Sequence, residues 1–106
     1  MIKTYNKLVR DRIPEIIQRN GQSCRTRILT DEEYLATLDA KLQEELAEYK
    51  ESRSIEELAN IFEVLCAMAA CNSFSKEDLI ATQEKKRADR GGVKDRILLL
   101  EVQDFS

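Results

Sequence analysis

Apolar side chains recur every three or four residues over most of the chain, which is the spacing of one face of an α-helix. The clearest run extends from Leu35 to Tyr49, behind a capping box at Thr30–Glu33. A second box at Ser54–Glu57 predicts another helix, and its 58–71 portion is apolar nearly all round. Such a helix must be covered on most sides, either by its own chain or by a second subunit.

Two further helices are predicted at the sides of this pair. A short helix begins near Asp11, carries Pro14 in its first turn and stops at Asn20–Gly21. A third long helix runs from Ser75 to Arg90 and ends before two glycines. The pattern therefore predicts a mainly α protein.

Two segments favour extended structure. Residues 23–29 alternate Cys24, Thr26 and Ile28 with two arginines, as a short strand with one basic face would. Residues 93–102, which include four consecutive apolar side chains, predict a closing strand or a short extended arm. We therefore expect a helical bundle with up to two short strands.

Composition restricts the chemistry available to this chain. Its 106 residues support a single domain over 1–106. The absence of histidine excludes catalytic Ser-His-Asp triads, Cys-His nucleophile pairs and His-ligated zinc or haem. Three cysteines without close pairing favour a reduced, cytoplasmic protein. Neither a signal peptide nor a membrane-spanning apolar run is expected, so a membrane partner is not predicted.

The net charge of −3 conceals a segregated distribution. Residues 1–30 carry seven basic and two acidic side chains, whereas residues 31–63 carry three basic and eleven acidic ones. These runs are either solvated helix faces or a cation site flanked by anion-binding segments.

Carboxylates follow both central helices at helical spacing. Glu45 and Glu48 flank the apolar stripe of the first, and Glu57, Asn60 and Glu63 form a polar line on the second. If the short loop near residues 52–54 joins the helices into a hairpin, these carboxylates approach one another and require protons or a cation. Mg²⁺ would satisfy them with oxygen ligands, although Glu-rich helix surfaces are common and Lys41–Glu45 is also an ordinary helix-supporting pair.

Basic side chains dominate the end of the third long helix. Lys86 and Arg90 lie four residues apart on one face, next to Gly91 and Gly92. Fixed cations near a metal suit a polyphosphate, and the alternative is a solvated basic face or a weak nucleic-acid patch. The acidic net charge and the low aromatic content disfavour a general nucleic-acid binder.

Four segments together resemble a known family. Residues 5–17 (YNKLVRDRIPEII) resemble the opening of small phosphoribosyl-ATP pyrophosphohydrolase-like proteins, of the all-α nucleoside triphosphate pyrophosphatase superfamily that includes MazG. Residues 44–48 (EELAE) match the E-E-x-x-E motif, residues 57–60 (ELAN) correspond to E-x-x-D, and residues 86–93 (KRADRGGV) resemble K-x-x-x-R-G-G-F. The resemblance covers nearly the whole chain.

The resemblance implies Mg²⁺-dependent hydrolysis, with Mn²⁺ as an alternative metal, between the α- and β-phosphates of a nucleoside triphosphate or a phosphoribosyl-ATP-like substrate. It also implies a homodimer or a higher homo-oligomer. The residues that it assigns to the metal are Glu45, Glu48, Glu57 and Asn60. Glu44 and Glu45 are its catalytic carboxylates, Glu44 as a ligand or as the group that positions water. Phosphate binding is assigned to Lys86 and Arg90, with Lys7 and Arg10 assisting.

The chain departs from the family pattern in its second motif. Asn60 stands where an aspartate is expected, which keeps an oxygen ligand but removes one negative charge. The spacer between the two motifs, residues 49–56, is also short, so the hairpin must be tight. Asn60 therefore supports an alternative function, a nucleotide- or protein-binding helical domain with weakened catalysis.

Overall fold

The computed structural model describes residues 1–104. Over these residues it contains four helices, α1 (Ile13–Arg19), α2 (Asp31–Ser52), α3 (Ile55–Cys71) and α4 (Lys76–Arg90). No strand forms within this range. The predicted mainly α class is confirmed, and each of the four predicted helices is present.

Side-chain caps set the start of the longer helices. Thr30 accepts a hydrogen bond from the Glu33 amide, and the Glu33 carboxylate accepts one from the Thr30 amide, which completes a capping box at α2. Ser75 and Asp78 form the same reciprocal pair at α4. At α1, Pro14 lies in the first turn.

The predicted second capping box forms only in part. Ser54 Oγ accepts from the Glu57 amide, as expected. The return bond is absent, because the Ser54 amide donates instead to Ser52 Oγ at 3.3 Å. The carboxyl group of Glu57 is engaged with Glu45 and Asn60, so it does not cap its own helix.

The two strand predictions are wrong for the described residues. Residues 23–29 and 97–102 form no backbone hydrogen bonds with one another or with another segment. Residues 93–96 form a turn, closed by the Arg96 amide and the Val93 carbonyl. Strands require a partner at hydrogen-bonding distance, and this chain brings none to either segment. The alternative prediction, a short extended arm over 93–102, corresponds only to residues 97–102, which are exposed and form no regular secondary structure.

α2 and α3 form a hairpin joined by a two-residue connection. Arg53 ends α2 in the left-handed conformation, with a φ of 54°, and its amide donates to the Tyr49 carbonyl. The buried residues of the hairpin are Leu38, Val64 and Glu45, which are 1%, 6% and 5% exposed. A carboxylate therefore lies at the same depth as the two most buried apolar side chains.

The outward face of α3 is apolar. Its exposed side chains follow a three- and four-residue spacing, and their exposed fractions range from 37% to 71%: Ile55, Leu58, Phe62 and Leu65. We call these four residues the α3 stripe. The hairpin thus buries a carboxylate and leaves leucines exposed, the reverse of a water-facing helix pair.

α4 packs on α3 and, within residues 1–104, not on α2. The axes of α3 and α4 differ in direction by 106°. No single helix in the described range has both the length and the apolar character of a membrane span, and only α3 and α4 taken together across this bend reach them.

Candidate metal centre

Glu45 is the centre of the predicted site. It lies on the α2 face that packs against α3, where it is almost fully buried. Lys41 Nζ, one turn earlier, is 3.1 Å from Glu45 Oε1. Glu45 Oε2 is buried and has no hydrogen-bond donor. Since an unpaired buried oxygen of a charged group is costly, this atom is available to a proton or a cation.

Three carboxylates converge at this point. Glu45, Glu48 and Glu57 each contribute an oxygen, and these three atoms lie within 4.8 Å of one another. Glu45 is buried, Glu57 is half-buried and Glu48 is exposed, so the cluster opens toward solvent on one side. The α2–α3 hairpin therefore brings together three carboxylates that the sequence predicts to approach one another.

The pKa values of Glu45 and Glu57 shift in opposite directions. The interaction with Glu45, reinforced by partial burial, raises the pKa of Glu57. Burial raises the pKa of Glu45 as well, but its interactions with Glu57 and Lys41 lower that pKa overall. The fold therefore favours the ionised form of Glu45 and disfavours that of Glu57.

Asn60 makes two hydrogen bonds beside the cluster. Its Oδ1 accepts from Arg10 Nη2 at 2.9 Å, and its Nδ2 donates to Glu57 Oε2 at 3.4 Å. An aspartate at this position could not donate to Glu57. The structure therefore gives the amide an orienting contact, in addition to the ligand oxygen expected from the sequence.

The segment before α1 supplies cations at the edge of the cluster. Lys7 Nζ donates to Glu44 Oε1 at 2.9 Å, and this hydrogen bond raises the pKa of Lys7. Arg10 Nη1 is 3.6 Å from Glu63 Oε1, in addition to its contact with Asn60. The structure thus brings Lys7 and Arg10 to the site, where both pair with acidic or amide side chains.

Lys86 and Arg90 are not brought to the site within one chain. From Glu57 to the end of α3 the helix is about 21 Å long, and from the start of α4 to Lys86 it is about 15 Å long. With a bend of 106° between the two helices, the backbones of Glu57 and Lys86 are roughly 20 Å apart. Arg90 instead lines an open cavity of about 450 Å³ near the end of α4, with Arg87, Lys94 and Arg96.

Some contacts at the site have no signal in the sequence. Arg10 and Asn60 are fifty residues apart, and neither residue type nor spacing predicts their hydrogen bond. Lys41 is predicted only as a partner in a surface helix pair, whereas its ammonium group contacts the buried carboxylate. Glu63, the last residue of the predicted polar line, pairs with Arg10 and lies outside the three-carboxylate cluster.

The donor set fits a hard divalent cation. All three converging ligands are carboxylate oxygens, which Mg²⁺ and Mn²⁺ prefer, and the exposed side leaves room for water and phosphate oxygens. The unpaired Oε2 of Glu45 is the atom that such an ion would satisfy. The residues present are therefore consistent with a metal centre.

Comparisons with known proteins give one partial relative. Over 44 residues the chain is 57% identical to a protein of Mycolicibacterium smegmatis described as uncharacterized. The match covers 42% of this chain and 45% of the relative's length. No family model and no solved structure matches the chain.

Proposed function

We propose that this chain is a Mg²⁺-dependent nucleotide pyrophosphohydrolase. The substrate would be a nucleoside triphosphate or a phosphoribosyl-ATP-like nucleotide, cleaved between the α- and β-phosphates with release of pyrophosphate. The observation that supports this function is the convergence of Glu45, Glu48 and Glu57 in a helical hairpin. The resemblance of the surrounding motifs to the MazG-like enzymes supplies the reaction class.

The side chains around the cluster have distinct proposed roles. Glu45, Glu48 and Glu57 hold Mg²⁺ or Mn²⁺, with Asn60 as a further ligand that also orients Glu57. The bound metal would polarise phosphoryl oxygens and lower the pKa of a coordinated water. The Glu44 carboxylate, fixed by Lys7, positions the attacking water.

Phosphate binding falls to cations near the cluster. Lys7 and Arg10 already lie at its edge, and substrate phosphates compete there with Glu44 and Glu63 for the same donors. Lys86 and Arg90 are roughly 20 Å away in their own chain, judged from the lengths and the bend of α3 and α4. They reach this site only from another copy, so we propose a homodimer or a higher homo-oligomer.

The cysteines are consistent with a reducing environment. Cys24, Cys66 and Cys71 are all free thiols. A cytoplasmic location is therefore part of the same proposal.

A substrate panel tests the proposed reaction. The full chain is incubated with nucleoside triphosphates and phosphoribosyl-ATP, with and without Mg²⁺, and pyrophosphate release is measured. We expect release that requires Mg²⁺ and falls at least about 100-fold in Glu45→Ala, since a ligand is lost. Glu51→Ala, an exposed change on the same helix, is the matched control. If Glu45→Ala retains full turnover, the ligand assignment is wrong.

A second candidate function rests on Asn60. Because Asn60 Oδ1 is occupied by Arg10, this residue contributes less negative charge and less ligand capacity than an aspartate would. A nucleotide- or protein-binding domain with weakened catalysis follows from that arrangement. Under this alternative the native chain releases no pyrophosphate from any substrate, whereas Asn60→Asp gains activity.

A further inference from the structure

The C-terminal arm, residues 97–102, is an apolar segment without a partner in its own chain. Its five apolar side chains are each at least 73% exposed: Ile97, Leu98, Leu99, Leu100 and Val102. Within the described residues, the arm makes no backbone hydrogen bond to another segment. Contiguous exposed apolar surface of this kind marks an interaction site in water.

Apolar side chains occupy both faces of the arm. Leu98, Leu100 and Val102 alternate with Ile97, Leu99 and Glu101. An edge strand with one face in water carries polar residues on that face, whereas the first four positions here are all apolar. At least one face of the arm therefore requires an apolar surface against it.

The chain exposes more surface than a compact monomer of its size. It exposes 10063 Å², whereas a compact monomer of 12.2 kDa exposes about 6100 Å². Its radius of gyration is 19.0 Å, compared with about 13 Å for a compact domain of this length. The excess of about 4000 Å² follows from this extended shape, and it leaves more area free for association than the roughly 800 Å² that one partner buries in a standard interface.

The chain itself offers a matching surface. The α3 stripe is apolar, exposed and about 15 Å long from Ile55 to Leu65. The arm spans about 17 Å when extended. Because both surfaces are on the same chain, a second copy provides the complement to each, as expected for closed homo-oligomers.

We propose that the C-terminal arm of one chain packs across the α3 stripe of a second copy, which returns its own arm. The exchange covers the arm and the α3 stripe, two apolar surfaces that the isolated chain leaves in water. It requires no metal and no nucleotide, so it stands or falls independently of the proposed hydrolysis.

A charge placed in the arm tests the exchange. Sedimentation equilibrium of the full chain is measured over a range of concentrations for wild type, Leu99→Asp and Gln103→Asp. Gln103 lies in the same segment just beyond the apolar run, so Gln103→Asp is the matched control. We expect an oligomeric wild type, an unchanged control, and a dissociation constant weakened at least about 30-fold by Leu99→Asp. Circular dichroism verifies that the helices persist.

A crosslinking measurement covers the case in which Leu99→Asp fails to fold. A photoreactive amino acid replaces Leu99, and ¹⁵N-labelled and unlabelled chains are mixed before irradiation. Mass spectrometry should find crosslinks from arm to α3 stripe that join labelled with unlabelled peptides. A monomeric wild type, identical behaviour of the two aspartate variants, or crosslinks confined within one chain would each overturn the proposal.

Discussion

Replacing Glu45 by glutamine should weaken both Mg²⁺ binding and the stability of the metal-free protein. Glutamine keeps the shape of the side chain, removes its charge and adds an N–H donor. In the structure, Glu45 Oε2 is buried without a donor, and Oε1 pairs with Lys41. One Glu45 oxygen lies within 4.8 Å of an oxygen of Glu48 and of Glu57. The change therefore removes like-charge repulsion, the charge that pairs with Lys41 and a ligand at the same time.

The magnitude of the stability change follows from two opposing contributions. A buried oxygen without a partner costs about 1–3 kcal/mol, and the new amide recovers part of that. Removing the charge that pairs with Lys41 at 3.1 Å costs about 3 kcal/mol, the low end for a buried pair, because Lys41 is partly exposed and the glutamine oxygen still accepts from it. We expect a net loss near 1 kcal/mol, in the direction given by the lowered pKa of Glu45, and a fall in Tm of about 4–8 °C in a domain of this size.

The assay combines thermal unfolding in EDTA with calorimetric titration of Mg²⁺. Both use the same protein concentration for all variants, since the proposed association would make Tm depend on concentration. Mg²⁺ affinity should fall at least about 100-fold. Replacing a residue that only supports a metal ligand already weakens binding about 10–100-fold, and Glu45 is itself a proposed ligand. Glu51→Gln, an exposed substitution of the same kind on α2, should leave both quantities unchanged.

Two outcomes would contradict this prediction. A higher Tm in EDTA for Glu45→Gln would mean that the unpaired Oε2 and the repulsion among the carboxylates outweigh the pair with Lys41. Unchanged Mg²⁺ affinity would mean that Glu45 is not a ligand. The two readouts are separate, so each tests its own half of the prediction.

Three further predictions concern pH and capping. Because the pKa of Glu57 is raised, Mg²⁺ must displace the proton of Glu57 at low pH. The apparent Mg²⁺ affinity should therefore rise with pH by up to about tenfold per unit and then level off. Calorimetry in buffers of different ionisation enthalpy should detect the released proton, and an affinity independent of pH would contradict this. Thr30→Ala removes the α2 capping box and should lower the free energy of unfolding by about 1 kcal/mol, measured by thermal unfolding. The control Thr82→Ala loses only a hydrogen bond within its own helix and should lower it less. Equal losses of stability in the two variants would argue against the cap. The hydrogen bonds from Arg27 and Thr30 lower the pKa of Glu33 to about 2. The stabilisation from Glu33 is therefore present above its unfolded-state pKa and is lost as pH falls toward 2. Arg27→Ala should move the acid unfolding transition, followed by circular dichroism, to higher pH. An unchanged transition would show that the Arg27–Glu33 pair does not contribute to stability.

Local rules account for the helices of this protein. Thr30, Ser75 and Pro14 have short-range effects on backbone hydrogen bonding, so the sequence predicts where α1, α2 and α4 begin. At α3 the Ser54 side chain also caps the helix as expected, but the return bond from Glu57 does not form, because the Ser54 amide donates to Ser52 Oγ and Glu57 interacts with α2. Strand propensity at 23–29 and 97–102 also fails, because a strand depends on a partner that local sequence does not specify.

The chemistry of the site divides in the same way. Helical spacing together with a short loop is enough to bring Glu45, Glu48 and Glu57 together, because a two-residue connection makes α2 and α3 antiparallel neighbours. The contacts of Lys7 and Arg10 join segments 37 and 50 residues apart, and only the folded chain sets them.

The helices, the spacing of the carboxylates and the need to cover an apolar α3 can all be predicted from the sequence. The face of α3 that is covered and the distance of Lys86 from the glutamates depend on the fold. Helix formation and side-chain spacing are local, whereas the bend between α3 and α4 and the burial of Glu45 depend on how whole helices pack.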